Sequence, residues 1–145
     1  MKFSTKGRYA LRMLVDLAQH EDEGFIALKD IAKRQNISKR YLEQIVPLLN
    51  NGDILCTNRG YMGGYKLAKS AKDYTVGDIL RLTESGLAPV SCLESGANPC
   101  ERADECATLP MWQGLHQIIM EYLDGITLKD LADQQRENLA DNYVI

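Results

Sequence analysis

No run of apolar residues in this 145-residue sequence approaches the roughly 20 needed to cross a bilayer. A spanning helix is therefore not expected. The opening MKFSTKGRYALRML has neither the unbroken apolar stretch nor the small-residue cleavage site of a secretory leader. The expected compartment is the reducing cytoplasm, where the four cysteines serve as ligands or free thiols rather than as disulfides. Internal repeats and low-complexity tracts are absent. So are a Walker loop, a nucleotide-binding glycine motif and a Ser-His-Asp arrangement, so nothing points to an enzyme. The cysteines also lack the C-x2–4-C pairs usual for structural zinc.

What is present is an ordinary globular composition, 45% hydrophobic, in a chain long enough for one compact domain with a dimerisation extension. The net charge of −3 conceals an asymmetry. Residues 1–70 carry 12 Lys/Arg and 7 Asp/Glu, a net of +5, whereas residues 71–145 carry 5 and 13, a net of −8. A basic half joined to an acidic half suggests a polyanion partner for the first only.

Hydrophobic spacing and cap residues predict the elements. Ala10, Met13, Leu14, Leu17 and Ala18 fall on one face of a helix from Thr5 to His20, which EDEG (Glu21 to Gly24) breaks. A short amphipathic helix covers Leu28 to Gln35, and Asn36–Ile37 make a tight turn. Ser38 N-caps a third helix that reaches Asn50. Pro47 should bend that helix or mark its end, and Gly52 should take the left-handed position after it. Two strands, Ile54 to Thr57 and Gly64 to Ala68, flank the glycine-rich tip NRGYMGG. Thr75 and Asp78 form a capping box for a helix through Glu84. Gly86 to Pro110 reads as irregular. A long helix from Thr108 to Asp124 carries a wide stripe: Met111, Trp112, Leu115, Ile118, Ile119, Tyr122 and Leu123. That width suits packing on its own domain on one side and on a second subunit on the other. Thr127 and Asp130 cap a last helix to Leu139, after which the chain should fray.

The fold class expected is mainly α with a small β-hairpin: a winged helix-turn-helix plus a long dimerisation helix. The winged helix-turn-helix should occupy residues 1–85, a cysteine-containing loop residues 86–107, and the dimerisation and C-terminal helices residues 108–145. Such a head reads double-stranded DNA with one helix in a groove and the hairpin tip in its neighbour. The opening of the third helix is then the reading element. Ser38, Lys39 and Arg40 lie where a phosphate backbone would pass, and Tyr41 is suited to a phosphate or sugar. Glu43 and Gln44 can reach base edges. At the wing tip Arg59, beside the flexible Gly60, suits a narrow minor groove. Lys6, Arg8 and Arg12 can add phosphate contacts.

Cys92, Cys100 and Cys106 fall within 15 residues as C-x7-C-x5-C. Iron–sulfur clusters accept irregular spacing of this kind. The surrounding Glu94, Glu101, Asp104 and Glu105 disfavour a reactive thiol. Cys56, alone on a strand, reads as a small core residue. Three cysteines leave a fourth ligand open; His20 and His116 are distant in sequence, and a partner subunit or a small molecule would also serve.

Together, KGRYALRMLVDLA, LKDIAKRQNISKRYLEQIVPLL, RGYMGGYKLAK, TVGDILR, the three-cysteine loop running into Met111–Trp112, and ITLKDL resemble the Rrf-two family of winged-helix regulators over nearly the whole chain. The likeness leans toward its cluster-biogenesis members. The resemblance implies a homodimer joined through the long helix and a palindromic operator read by residues 38–50 and Arg59. It also implies an iron–sulfur cluster, [2Fe-2S] or [4Fe-4S], on Cys92, Cys100 and Cys106. A histidine that some members place three residues after the third cysteine is Leu109 here, and an acidic N-terminal position used by others is Arg8. The expected function is a repressor of iron–sulfur or sulfur-metabolism genes. The alternative is a metal-free regulator of cysteine metabolism acting through a protein partner.

Overall fold

The computed structural model describes residues 2–96 and 100–143 and contains six helices and a two-stranded antiparallel hairpin. Helix α1 spans Thr5–Gln19, α2 Leu28–Gln35 and α3 Lys39–Asn51. Strands β1 (Leu55–Asn58) and β2 (Gly64–Leu67) pair with Leu55 opposite Leu67 and Asn58 opposite Gly64. Helices α4 (Val76–Thr83), α5 (Leu109–Asp124) and α6 (Leu128–Tyr143) complete the chain, with short 3-10 turns in the connections. The expected class, a mainly helical winged helix, is the one observed.

Local chemistry sets the helix starts. The Ser4 hydroxyl accepts the Gly7 N–H at the head of α1, and Ser38 accepts the Tyr41 N–H at the head of α3. Thr75 and Asp78 make the reciprocal capping box at α4, and Thr127 and Asp130 bond reciprocally ahead of α6. Asn36 ends α2 in the left-handed conformation.

Two expectations for α3 need correction. Pro47 does not terminate the helix, which continues to Asn51; the proline is exposed, so the lost N–H bond is on the solvent side. Gly52 has φ −99°, and the left-handed residue is Asp53 (φ 56°). Gly52 is needed for a different reason. A Cβ there would lie 2.4 Å from a Leu82 methyl, so the glycine lets α3 and α4 approach.

The core gathers α1, α2, α3, the hairpin and α4 around Met13, Leu14, Ile31, Leu42, Ile45, Leu49 and Ile79. Leu128 and Ala132 of α6 are buried in that same core. Helix α6 thus closes the head across the divisions drawn from sequence, and it runs four residues beyond its expected end at Leu139. The terminal residues 144–145, expected to fray, lie outside the described residues. Backbone bonds from Val76 N–H to Ile126 C=O and from Leu128 N–H to Tyr74 C=O, at 2.8 and 3.0 Å, tie the start of α4 to the α5–α6 turn. A smaller cluster of Val76, Leu80 and Leu87 receives Met120 and Leu123 from α5. The opposite face of α5 stays open: Met111, Leu115, Ile118 and Tyr122 are all exposed. No helix among the described residues is long and apolar enough to cross a membrane.

Candidate nucleic-acid interface and cysteine loop

The end of α2 is pinned to α1 by a buried carboxylate that the periodicity did not single out. Asp16 on α1 is 1% exposed. Arg34 donates to both its oxygens, from Nη2 at 2.6 Å and Nε at 3.0 Å, and Gln35 Nε2 donates to Oδ2 at 3.0 Å. Bidentate guanidinium pairing is directional, so it sets orientation as well as attraction. Hydrogen bonding to Asp16 raises the Arg34 pKa above its already high ordinary value. Arg12 donates to the Gln35 carbonyl and side chain and stands over the Tyr9 ring at 5.2 Å. It is therefore engaged with the end of α2 rather than held out for phosphate. Arg8, in turn, donates to Thr5 Oγ1 at 3.1 Å.

Beyond this joint, α3 presents its expected readers. Ser38, Lys39, Arg40, Glu43 and Gln44 are exposed. Lys39 and Glu43 face each other one turn apart, Nζ to Oε1 at 3.8 Å. Tyr41 is different: it is half-buried, its ring meeting Tyr9 edge-on at 5.3 Å between centroids. That contact uses the ring to join α1 to α3.

The wing stands beside α3. A groove of about 480 Å³ runs between them, lined by Lys29, Lys39, Glu43, Asn50, Asn58 and Arg59, among others. Its three cations against one carboxylate suit a phosphate-bearing strand. Arg59 and Gly60 are exposed at the tip. The hairpin is held just below its tip by a third strand-like segment: Ile26 and Tyr65 exchange both backbone hydrogen bonds at 2.8 Å. Sequence reasoning found Arg59 but passed over its neighbours Tyr61 and Met62, both strongly exposed. Their place between Arg59 and Gly63 was the available signal.

The loop cysteines are free thiols. Cys92 and Cys100 are exposed and Cys106 is half-exposed. Among the described residues no three His, Cys, Asp or Glu side chains converge on a point that could hold a metal ion, so the loop is not pre-gathered. Cys106 is nonetheless set apart. The Thr108 hydroxyl, 3.5 Å from its sulfur, and then the Thr108 backbone N–H stabilise the thiolate and draw the pKa below the ordinary thiol value. Cys106 immediately precedes α5, and the Leu109 N–H donates to its carbonyl at 3.4 Å. Cys56 is a half-exposed free thiol on β1. Of the two histidines, His20 lies against Asp16, with Nδ1 2.7 Å from the Asp16 carbonyl. The Nδ1 of His116 is buried and finds no hydrogen-bond partner among the described residues, in a pocket it lines with Leu93 and Glu94.

Comparison with known proteins agrees with this geometry. Residues 3–134 match the Rrf2 family, described as iron-dependent transcriptional regulators. The chain is 40% identical over 132 residues to the HTH-type transcriptional regulator CymR of Bacillus subtilis (strain 168), covering 91% of this chain and 90% of the relative. It is 36% identical over 135 residues to the HTH-type transcriptional regulator IscR of Pectobacterium carotovorum subsp. carotovorum (strain PC1), covering 93% and 81%. Among solved structures, B. subtilis CymR, described as the global cysteine regulator, superposes with a TM-score of 0.75 at 37% identity, covering 92% of this chain and 98% of that one. These relatives are named as regulators, not enzymes. With a basic α3–wing face, a matching fold and a family match over nearly its whole length, the chain is a DNA-binding transcriptional regulator of the Rrf2 family.

Proposed function

We propose that the protein binds a palindromic operator as a homodimer, with α3 of each subunit in the major groove and each wing in the adjoining minor groove. The observation that carries this is the shared cationic groove between α3 and the wing, with Lys39 and Arg59 both exposed along it. Arg59 supplies charge to every site, whereas Glu43 reads sequence. Salt titrations of DNA binding test the division. Arg59→Ala weakens cognate and random duplexes alike and lowers the salt slope by about 1. Glu43→Ala leaves random-duplex binding near wild type and relaxes base preference. Equal effects of both substitutions on both duplexes would contradict the assignment.

We further propose that Cys92, Cys100 and Cys106 hold an iron–sulfur cluster, whose nuclearity the donor set leaves open. The donor chemistry fits: three free thiols in one loop, with the Cys106 pKa drawn below the ordinary thiol value by Thr108. A cluster supplies a centre sensitive to iron and oxygen supply. The chain's own residues then carry the signal. Cys106 leads directly into α5, Arg81 of α4 holds Asp124 near the end of α5 at 2.7 Å, and the α5–α6 turn is bonded to the start of α4. A change in the loop therefore bears on the helix expected to join the subunits, and so on the separation of the two α3 helices. Anaerobic reconstitution with iron and sulfide should give coloured protein, and Cys→Ala at 92, 100 or 106 should abolish the colour.

A second reading is a metal-free regulator of cysteine metabolism acting through a protein partner. The similarity to CymR and the ungathered thiols favour it. Under that reading reconstituted protein stays colourless, and DNA binding ignores iron, sulfide and oxygen. In either case the expected targets are sulfur or iron–sulfur metabolism genes under repression.

A further inference from the structure

The tip of the wing carries two large side chains that its own fold does not cover. Tyr61 is 102% exposed and Met62 is 78% exposed. The hairpin does not need them: it buries Leu55 and Leu67 at its base instead. The tip turn is closed by its own backbone. Gly63 N–H donates to the Gly60 carbonyl at 2.9 Å, closing the turn. A Cβ on Gly63 would sit 2.6 Å from the Asn58 carbonyl oxygen and 2.7 Å from that of Gly60, so only glycine builds this turn. Below it, Asn58 pairs with Gly64, and Tyr65 is bonded to Ile26 on the other side. The finger thus ends in an aromatic ring and a thioether, with Arg59 beside them.

Single exposed apolar residues are common on protein surfaces and need no account. Two adjacent ones at the end of a preorganised finger, continuous with a cationic groove, are a different case. The surroundings choose the occupant. Arg59 flanks the pair, Lys29 and Lys39 line the adjoining groove, and Lys66 stands over the Phe25 ring at 4.7 Å on the same hairpin. That charge suits a polyanion. Methionine belongs to the apolar side chains that wedge between base steps from the minor groove, and an aromatic ring stacks on an exposed base face.

We propose that Tyr61 and Met62 form a wedge that enters the minor groove of duplex DNA beside Arg59 and opens a base step. The inference rests on the reading that the wing meets DNA. Its consequence is a second source of sequence preference. Pyrimidine–purine steps, which unstack at least cost, are favoured under each wing even where no base edge is contacted.

The test uses the full-length protein and a tight-binding duplex selected from a random-sequence library. 2-Aminopurine replaces adenine at one outer position at a time, and an end-labelled version reports bending by energy transfer. Wild type should raise 2-aminopurine fluorescence several-fold at one step in each half-site. The Tyr61→Ala/Met62→Ala double variant should lose that rise, bend the duplex less and bind roughly five- to hundredfold more weakly. Tyr61→Phe should keep the rise. Both residues are exposed, so the variants fold, and a thermal melt checks this.

If wild type raises fluorescence at no step, the wedge is overturned. Weaker binding of the double variant with unchanged fluorescence and bend also overturns it, because that marks a surface contact. Arg59→Ala separates the two levels. If it weakens binding while the double variant behaves as wild type, the wedge falls and the wing reading stands. If Arg59→Ala also changes nothing, both fall.

Discussion

Ile118→Glu is expected to convert the protein to a monomer and to cut its affinity for a two-half-site duplex by roughly a hundredfold or more, the scale of lost avidity. Met111, Leu115, Ile118 and Tyr122 recur at helical spacing on one face of α5 and are 52, 38, 65 and 68% exposed. The other face already rests on the head through Met120 and Leu123. An apolar stripe left open on a helix that is otherwise seated suits the proposed second copy, and two-fold symmetry would lay the stripe against itself. Glutamate at its centre would face a like charge from the partner in a desolvated contact. Sedimentation equilibrium measures the first effect and a binding titration the second. A variant that still sediments as a dimer and holds DNA at wild-type affinity would remove α5 from the interface.

Asp16→Ala should lower stability by about 2–4 kcal/mol, near the lower part of the range for breaking a buried ion pair, because Arg34 is 38% exposed and can turn to water. For a chain of this length that is a fall in melting temperature on the order of 5–15 °C. The loss reaches function as well. The same carboxylate holds Arg34 and Gln35 at the end of α2, one turn before Ser38 starts α3. DNA affinity should therefore drop at temperatures where the variant is still folded. Calorimetry and a binding titration at about 10 °C below the new midpoint separate the two effects. A melt within about 1 °C of wild type would mean the pair contributes nothing.

What the sequence made legible lies where the deciding bond is local. Ser38, the Thr75–Asp78 box and the Thr127–Asp130 pair all act on backbone within three residues, so the helix starts could be placed to within a residue or so. The hairpin and its tip were readable because Gly63 and Gly64 demand that turn. The exposure of the opening of α3 and of Arg59 followed from those placements. What was not legible depends on partners far along the chain. Asp16 looks like a polar residue on an amphipathic helix, until Arg34, 18 residues on, closes over it. Gly52 looks like a helix stop, but Leu82 decides its role. Leu128 and Ala132 carry no mark that they belong to a core begun by α1. Tyr41 and Arg12 were read as free side chains because their engagement with Tyr9 and Gln35 crosses between helices. The cysteine spacing suggests shared ligation without saying whether the loop gathers its thiols in advance.

In the proposed complex two copies of the α3–wing face grip one duplex. Hydroxyl-radical footprinting of the full-length protein on DNA from its own promoter tests this most directly. The expected pattern is two equivalent protected tracts, one helical turn or a small multiple of it apart, each flanked by a minor-groove protection that disappears in Arg59→Ala. A single protected tract, or flanking protection that persists without the Arg59 guanidinium, would contradict it.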